Sequence, residues 1–283
     1  MAIFTNQATL VYNGGSAVSN VAVGELIEVL SAEKTAVEGT YAPGELVTYV
    51  VTVRNSGTGA FTGLTLTDDL GGIPGGMGTV YPLTYEDGNI LYFINGTLQA
   101  APAVTAGPPL VISGISVPAG GDAVIIYQAR ANQFASPLVE GTVTNTVTVS
   151  GGGLTSPVTA TETVTSSTGP DVSITKTISP AQVSDNGRIT YTFLIQNRGN
   201  EPVVATDDAV ITDTFDPILT DLVVIYNGTA WTEGINYTYD AVTGLFSTLP
   251  GQITVPAATF TLNPDGSYTA SPGTAVLTVT GTI

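Results

Sequence analysis

Leu46 to Val53 reads LVTYVVTV, and Ile189 to Gln196 reads ITYTFLIQ. Both alternate with period two and are rich in β-branched and aromatic residues, the pattern of a strand with one face in a core. Each runs into a glycine turn, Asn55-Ser56-Gly57 in the first case and Asn197-Arg198-Gly199 in the second. The surroundings repeat as well. Glu33-Lys34-Thr35 precedes the first strand as Thr175-Lys176-Thr177 precedes the second, and Leu66-Thr67-Asp68 follows as Ile211-Thr212-Asp213 does. Asn95-Gly96-Thr97 and Asn227-Gly228-Thr229 are matching hairpin signals, of the kind a type I′ turn requires. Gly120 to Ile125 aligns with Pro272 to Leu277.

In the first repeat, further strands are expected at Leu64–Thr67, Ala123–Ala129 and Val143–Val149, the last as the closing strand. In the second repeat this register sets Ile283 against about Ala131, so nothing corresponds to Asn132 through Glu162. A relative of that missing piece stands at the start. Phe4 to Glu25, FTNQATLVYNGGSAVSNVAVGE, aligns with Val143 to Glu162, VTNTVTVSGGGLTSPVTATE, when Asn6 is set against Asn145. Phe4, Ala8 and Leu10 then match Val143, Val147 and Val149, followed by a glycine turn and a second strand.

Two repeats of many short strands predict an all-β chain of two tandem immunoglobulin-like β-sandwiches. The second is expected to be incomplete, and an N-terminal donor strand or hairpin to precede the first. The expected boundaries are 1–26 for the donor, 27–168 for the complete sandwich and 169–283 for the incomplete one, with Ser166 to Asp171 as linker.

Composition narrows the function. A net charge of −17 with six Lys and Arg in 283 residues argues against nucleic acid or an anionic membrane surface as partner. There is no cysteine for a disulfide and no histidine for general-base or metal chemistry. Neither a Gly-x-Ser-x-Gly motif nor a calcium-loop spacing occurs, so no cofactor, metal or enzymatic turnover is expected. Asp68-Asp69 and Asp207-Asp208 are candidate oxygen ligands for calcium, but without that spacing the commoner use of such acidic turns is plain solvation. No apolar run is long enough to cross a bilayer, and the opening lacks the basic and apolar regions of a secretory signal. The expected location is extracellular, on a cell or spore surface, reached by another export route, by lysis or within a sporulating cell. The sequons at Asn95, Asn227 and Asn236 read as turn or strand residues. Trp231 with Tyr226, Tyr237 and Tyr239 is either packing or a glycan-binding patch, and packing is the commoner use.

The motifs EKTA and TKTI, YVVTVRNSGTGAFTGLTLTDDL and VTNTVTVSGG resemble a bacterial surface-protein repeat known as a conserved domain of unknown function, the eleventh of that series. The resemblance implies a structural role at a surface.

The chain's two lysines, Lys34 and Lys176, occupy equivalent positions, with Asp68 and Asp213 lying 34 and 37 residues downstream. A lone lysine in a β-domain is ordinarily a solvated edge residue, but here lysine is absent from every other position. Asn145 completes the first set, and Asn6 of another subunit is the candidate for the second. This order resembles the isopeptide-forming collagen-adhesin and pilin domains of Gram-positive surfaces. The resemblance implies Lys34 and Lys176 as nucleophiles, Asn145 and Asn6 as electrophiles, and Asp68 and Asp213 as proton shuttles. A hydrogen-bonded Lys/Asp pair without a covalent link is the alternative.

The expected function is a structural subunit that polymerises head to tail with itself by strand donation, with anchor or cap proteins unidentified. The tether from Glu25 to Lys34 spans nine residue steps, about 30 Å of extended chain, so the donor is expected to reach a neighbour more easily than its own second domain. The alternative is a monomeric adhesin or glycan-binding stalk.

Overall fold

The computed structural model describes residues 2–26, 29–76 and 78–283, and they form an all-β protein. The N-terminal ribbon consists of β1 (Ala2–Asn6), β2 (Thr9–Tyr12), β3 (Gly15–Val18) and β4 (Ala22–Leu26). Asn6 pairs with Ala22 and Leu10 with Ala17, and the chain reverses at Asn13-Gly14, where Gly14 has a positive φ.

The first sandwich follows. Its strands are β5 (Leu30–Ala36), β6 (Thr40–Tyr41), β7 (Leu46–Asn55), β8 (Phe61–Asp68), β9 (Ile73–Gly75), β10 (Gly78–Val80), β11 (Leu83–Tyr85), β12 (Leu91–Ile94), β13 (Thr97–Leu98), β14 (Ala103–Thr105), β15 (Leu110–Val117), β16 (Asp122–Ala131), β17 (Thr142–Gly151) and β18 (Val158–Ser166). One sheet runs β13-β12-β16-β7-β5, with β11 also on β16; the facing sheet runs β14-β15-β8-β17-β18-β6. The inward register of β7 places Val47, Tyr49, Val51 and Val53 against Leu64 and Leu66 of β8 and Val147 and Val149 of β17.

A second core is built from β19 (Val172–Ser179), β20 (Arg188–Asn197), β21 (Thr212–Thr214), β22 (Thr220–Tyr226), β23 (Thr229–Trp231), β24 (Tyr237–Asp240), β25 (Leu245–Thr248), β26 (Thr259–Leu262), β27 (Tyr268–Ser271) and β28 (Gly273–Thr282). Its larger sheet, β19-β20-β28-β22-β23, reproduces the β5-β7-β16-β12-β13 order of the first. The facing sheet differs. It has three strands, β21-β25-β24, where the first sandwich has six. In the first sandwich β8 lies between β15 and β17; among the described residues β21 pairs only with β25, and its other edge is open.

Three expectations change in detail. Val143–Val149 is not the closing strand, because positive φ at Gly151, Gly152 and Gly153 turns the chain back to form β18, whose Ala160 and Val164 complete the core. The strand expected at Leu64–Thr67 extends over Phe61–Asp68, since pairing with β15 and β17 on both sides satisfies its backbone along that length. The matching segment of the second repeat is strand only over Thr212–Thr214, where one neighbour supplies that pairing.

The two sandwiches are tied through the linker. Asn200 Nδ2 donates to the carbonyls of Pro137 (3.0 Å) and Ser167 (2.9 Å), its Oδ1 accepts from Gly169 N (3.1 Å), and Tyr268 N donates to Gln133 O (2.8 Å). The two repeat turns are pinned alike by buried asparagines. Asn55 Nδ2 donates to Gly59 O and Pro118 O, and Asn197 Nδ2 donates to Glu201 O and Pro256 O; Asn197 Oδ1 also accepts from Asp171 N (3.0 Å), fastening the linker's end.

Each asparagine side chain is itself buried and bridges backbone groups across its turn. Asn197→Ala is therefore expected to destabilise the second sandwich by about 1–3 kcal/mol. Urea unfolding followed by fluorescence of Trp231, the only tryptophan, measures this directly. Asn55→Ala should leave that signal in place.

Candidate functional site

Lys34 lies in β5 opposite Val51 of β7, and Asp68 ends β8. The layers face each other, so the two side chains meet inside the first sandwich. Lys34 Nζ donates to Asp68 Oδ2 at 2.5 Å, and neither side chain is more than 1% exposed. Asp68 Oδ1 accepts from Leu70 N (2.9 Å), while Oδ2 also accepts from the Tyr127 hydroxyl. The Lys34 ammonium sits over the Tyr49 ring, 4.6 Å from its centroid, and Tyr49 stacks on Tyr127 at 5.6 Å.

Asn145 joins this group through β17. Val147 is the residue paired with Asp68, and Asn145, two places along the same strand face, points inward with it. Its side chain is fully buried, and neither its Oδ1 nor its Nδ2 has a hydrogen-bond partner. Tyr49's hydroxyl is also without one.

The electrostatics follow from burial. Desolvation pushes the Lys34 ammonium below its ordinary pKa, against the opposing pull of Asp68. Burial, and then the negative charge of Asp68, push both tyrosines up, Tyr127 well above the phenol range; the Asn145 amide beside them acts the other way. A buried amine held toward its neutral form, a carboxyl against it and an unpaired carboxamide nearby are the components of an amide-forming reaction.

The second centre has the same plan and a different setting. Lys176 pairs across to Phe193 of β20, as Lys34 does to Val51 of β7, and its Nζ donates to Asp213 Oδ2. Its ammonium sits 4.4 Å from the Tyr191 centroid, the counterpart of the Lys34–Tyr49 contact. The Lys176 side chain is nevertheless 39% exposed and that of Asp213 18%. What differs is cover. In the first sandwich β18 packs beside β5, whereas Val172, Ile174 and Ile178 on β19 lie open to solvent.

Asn6 is not brought to Lys176 within the subunit. It lies on the N-terminal ribbon, where Phe4, Leu10, Val11, Tyr12 and Val23 are all more than half exposed. Phe4 lies across Gly24, so closely that a Cβ there would meet the ring at 2.2 Å. Like β17–β18 the ribbon is an antiparallel hairpin, but its ladder breaks after Asn6, which pairs with Ala22, whereas Asn145 pairs with Glu162 in a continuous ladder.

Tyr49 and Tyr127 went unnoticed in the sequence as site residues. The available signal was Tyr49's place in the inward register of β7. Other sequence-level candidates resolve into structure. Asn95 and Asn227 adopt positive φ in their turns, and each Oδ1 accepts from the facing strand, at Asp122 N and Val276 N. Tyr226 packs at a tilt against Trp231 and donates to Thr254 O, Tyr237 packs on Phe246, and Tyr239 donates to Leu219 O, so the aromatic group is used in packing. Asp69 Oδ1 accepts from Gly71 N and Thr146 N, linking β8 to β17.

No protein-family model matches the sequence, so its likeness to the surface-protein repeat rests on the quoted motifs, and no curated protein matches it. Among solved structures, the pilus backbone RrgB of Streptococcus pneumoniae is similar at 10% identity and a TM-score of 0.34, over 86% of this chain and 55% of that one. The full-length major pilin SpaD of Corynebacterium diphtheriae gives 13% and 0.36, over 85% of this chain and 58% of that one. The collagen-binding domain of a Staphylococcus aureus adhesin gives 9% and 0.31, over 49% and 99%. The chain thus spans little more than half the length of these two pilins. Likenesses at these scores carry no inference about what this chain does.

The unequal cover of the two centres has a measurable consequence. Asp68→Ala strands a buried ammonium and is expected to cost about 3–5 kcal/mol, read as accelerated hydrogen exchange of the β7 amides. Asp213→Ala acts on a part-exposed pair and is expected to cost about 1 kcal/mol or less in Trp231-monitored unfolding.

Proposed function

We propose that the protein is a structural subunit of a surface filament, polymerising head to tail by donating its N-terminal ribbon to the second sandwich of another copy. The observation that carries this reading is the open edge of β21 beside a part-exposed Lys176–Asp213 pair, in a protein that also presents an unburied apolar ribbon whose sequence aligns with β17–β18. An unpaired edge and an apolar hairpin are each unfavourable in water, and each is the other's remedy. Setting Asn6 in the place of Asn145 puts Ala8 opposite Asp213 and Leu10 opposite Ile211, as Val147 and Val149 stand opposite Asp68 and Leu66. In the same register β4 covers β19 as β18 covers β5.

The interface is heterologous, so repetition extends it into a filament. The boundaries at residues 1–26, 27–168 and 169–283 then delimit donor, complete sandwich and acceptor. Such a fibre belongs outside the cell, on a cell or spore surface, and its only required partner is another copy.

We infer further that both centres form isopeptide bonds, Lys34 to Asn145 within the subunit and Lys176 to Asn6 between subunits. A proton passes from the lysine ammonium to the aspartate, leaving a neutral amine. The amine attacks the asparagine Cγ, the carboxyl protonates the departing Nδ2, and the aspartate recovers a proton from the new amide nitrogen. One ammonia leaves for each bond formed. The covalent fibre no longer depends on strand-docking equilibria, which makes its persistence kinetic. A glycan-binding role has less support, since the aromatic residues that suggested it are occupied in packing.

Negative-stain microscopy of the purified protein is expected to show fibres that withstand boiling detergent as a ladder of multimers. Lys176→Ala should keep the fibres and lose the ladder, and Leu10→Asp should abolish both. Intact mass should fall by one ammonia per unpolymerised chain, a loss absent from Lys34→Ala. Monomers under all conditions sink the filament, and an unchanged mass sinks the internal bond.

A further inference from the structure

Tyr49 is the one member of the buried centre whose polar group has no assigned task. Its hydroxyl lies at 0% exposure without a partner, as do both polar atoms of Asn145. Leaving such groups buried and unpaired is unfavourable, so a fold that needed only packing here is better served by phenylalanine. The phenol also cannot serve as an acid or base at ordinary pH, because burial and Asp68 hold its proton firmly. A firmly protonated phenol in a water-free site can still donate a hydrogen bond.

Resting on the covalent reading above, we propose that Tyr49 is a catalytic residue of the Lys34–Asn145 condensation, its hydroxyl donating to Asn145 Oδ1 as that oxygen becomes negative. When Lys34 Nζ adds to Cγ, the carbonyl π pair moves onto Oδ1, and the charge stays there until the C–Nδ2 bond breaks and the pair returns. Asp68 is engaged elsewhere in the unreacted centre. Its Oδ2 is taken by Lys34 and Tyr127 and its Oδ1 by Leu70 N, and its part is to move protons. The Asn145 amide lies beside Tyr49 and Tyr127 alike, and neither its own polar atoms nor the Tyr49 hydroxyl has a hydrogen-bond partner in the unreacted state. Alignment that tightens only along the reaction is the behaviour of a group serving the transition state rather than the ground state.

The second centre distinguishes Tyr49 from Tyr127. In the β7–β16 pair Tyr49 faces Tyr127; in the β20–β28 pair Tyr191 faces Val279. The tyrosine bonded to the carboxyl is thus absent from the second centre, while the tyrosine under the lysine is present in both. A phenol retained with each lysine is what a shared chemical step requires, and Tyr191 is assigned the same part toward Asn6.

The test follows full-length chain released from cell-free synthesis, quenched in acid at intervals and weighed intact. The wild-type chain is expected to lose one ammonia, and Tyr49→Phe to lose it about 100- to 1000-fold more slowly, the effect of removing one oxyanion donor. Site-specific fluorotyrosine at position 49, a stronger donor of the same shape, is expected to speed the loss, which a packing role does not predict. Equal rates for tyrosine and fluorotyrosine overturn the proposal even where Tyr49→Phe fails to fold. A wild-type chain that never loses ammonia overturns the covalent reading itself, and this proposal with it.

Discussion

A lysine ammonium inside a β-sandwich can be held only against a carboxylate and out of reach of water, and that constraint organises this protein. Lys34 meets it through Asp68, but the carboxyl is itself held by Leu70 N and Tyr127, and the whole group is sealed by β17 and β18. The sealing strands matter as much as the pair. Without them the desolvation that pushes Lys34 toward its neutral form is lost, and the pair becomes an ordinary part-exposed ion pair.

That second condition is what Lys176 and Asp213 display. The two halves share strand order, the lysine-under-tyrosine contact and the asparagine-pinned turn, and they differ in the covering layer. The N-terminal ribbon carries the sequence of that layer without the position. Exposed apolar side chains on a two-stranded ribbon are not stable company for water, and such a hairpin is marginal alone. On the proposed strand donation the uncovered centre takes its cover from another copy, and the polarity of assembly follows from donor and acceptor lying at opposite ends of the described residues.

Much of this was legible in the residues. Period-two alternation at Leu46–Val53 and Ile189–Gln196 marked the inward faces, because a strand's side chains must alternate. The restriction of lysine to positions 34 and 176 marked the two Lys/Asp pairs, and the likeness of Phe4–Glu25 to Val143–Glu162 marked the N-terminal hairpin. Local chemistry made the Asn-Gly turns readable for the same reason: few residues accept positive φ.

The tertiary structure decided what depends on proximity across layers. Nothing in the sequence singled out Tyr49 or Tyr127; β7 and β16 set them beside Asp68 and Asn145. The aromatic group around Trp231 read more readily as packing than as a glycan-binding patch, and the fold decided it by setting its hydroxyls on carbonyls. Above all, the sequence by itself determined that the two lysine centres are equivalent, since equivalence is a matter of alignment. Only the fold decided that one is buried and the other open, because burial is a property of which strands lie alongside, and that is not written in either centre's own residues.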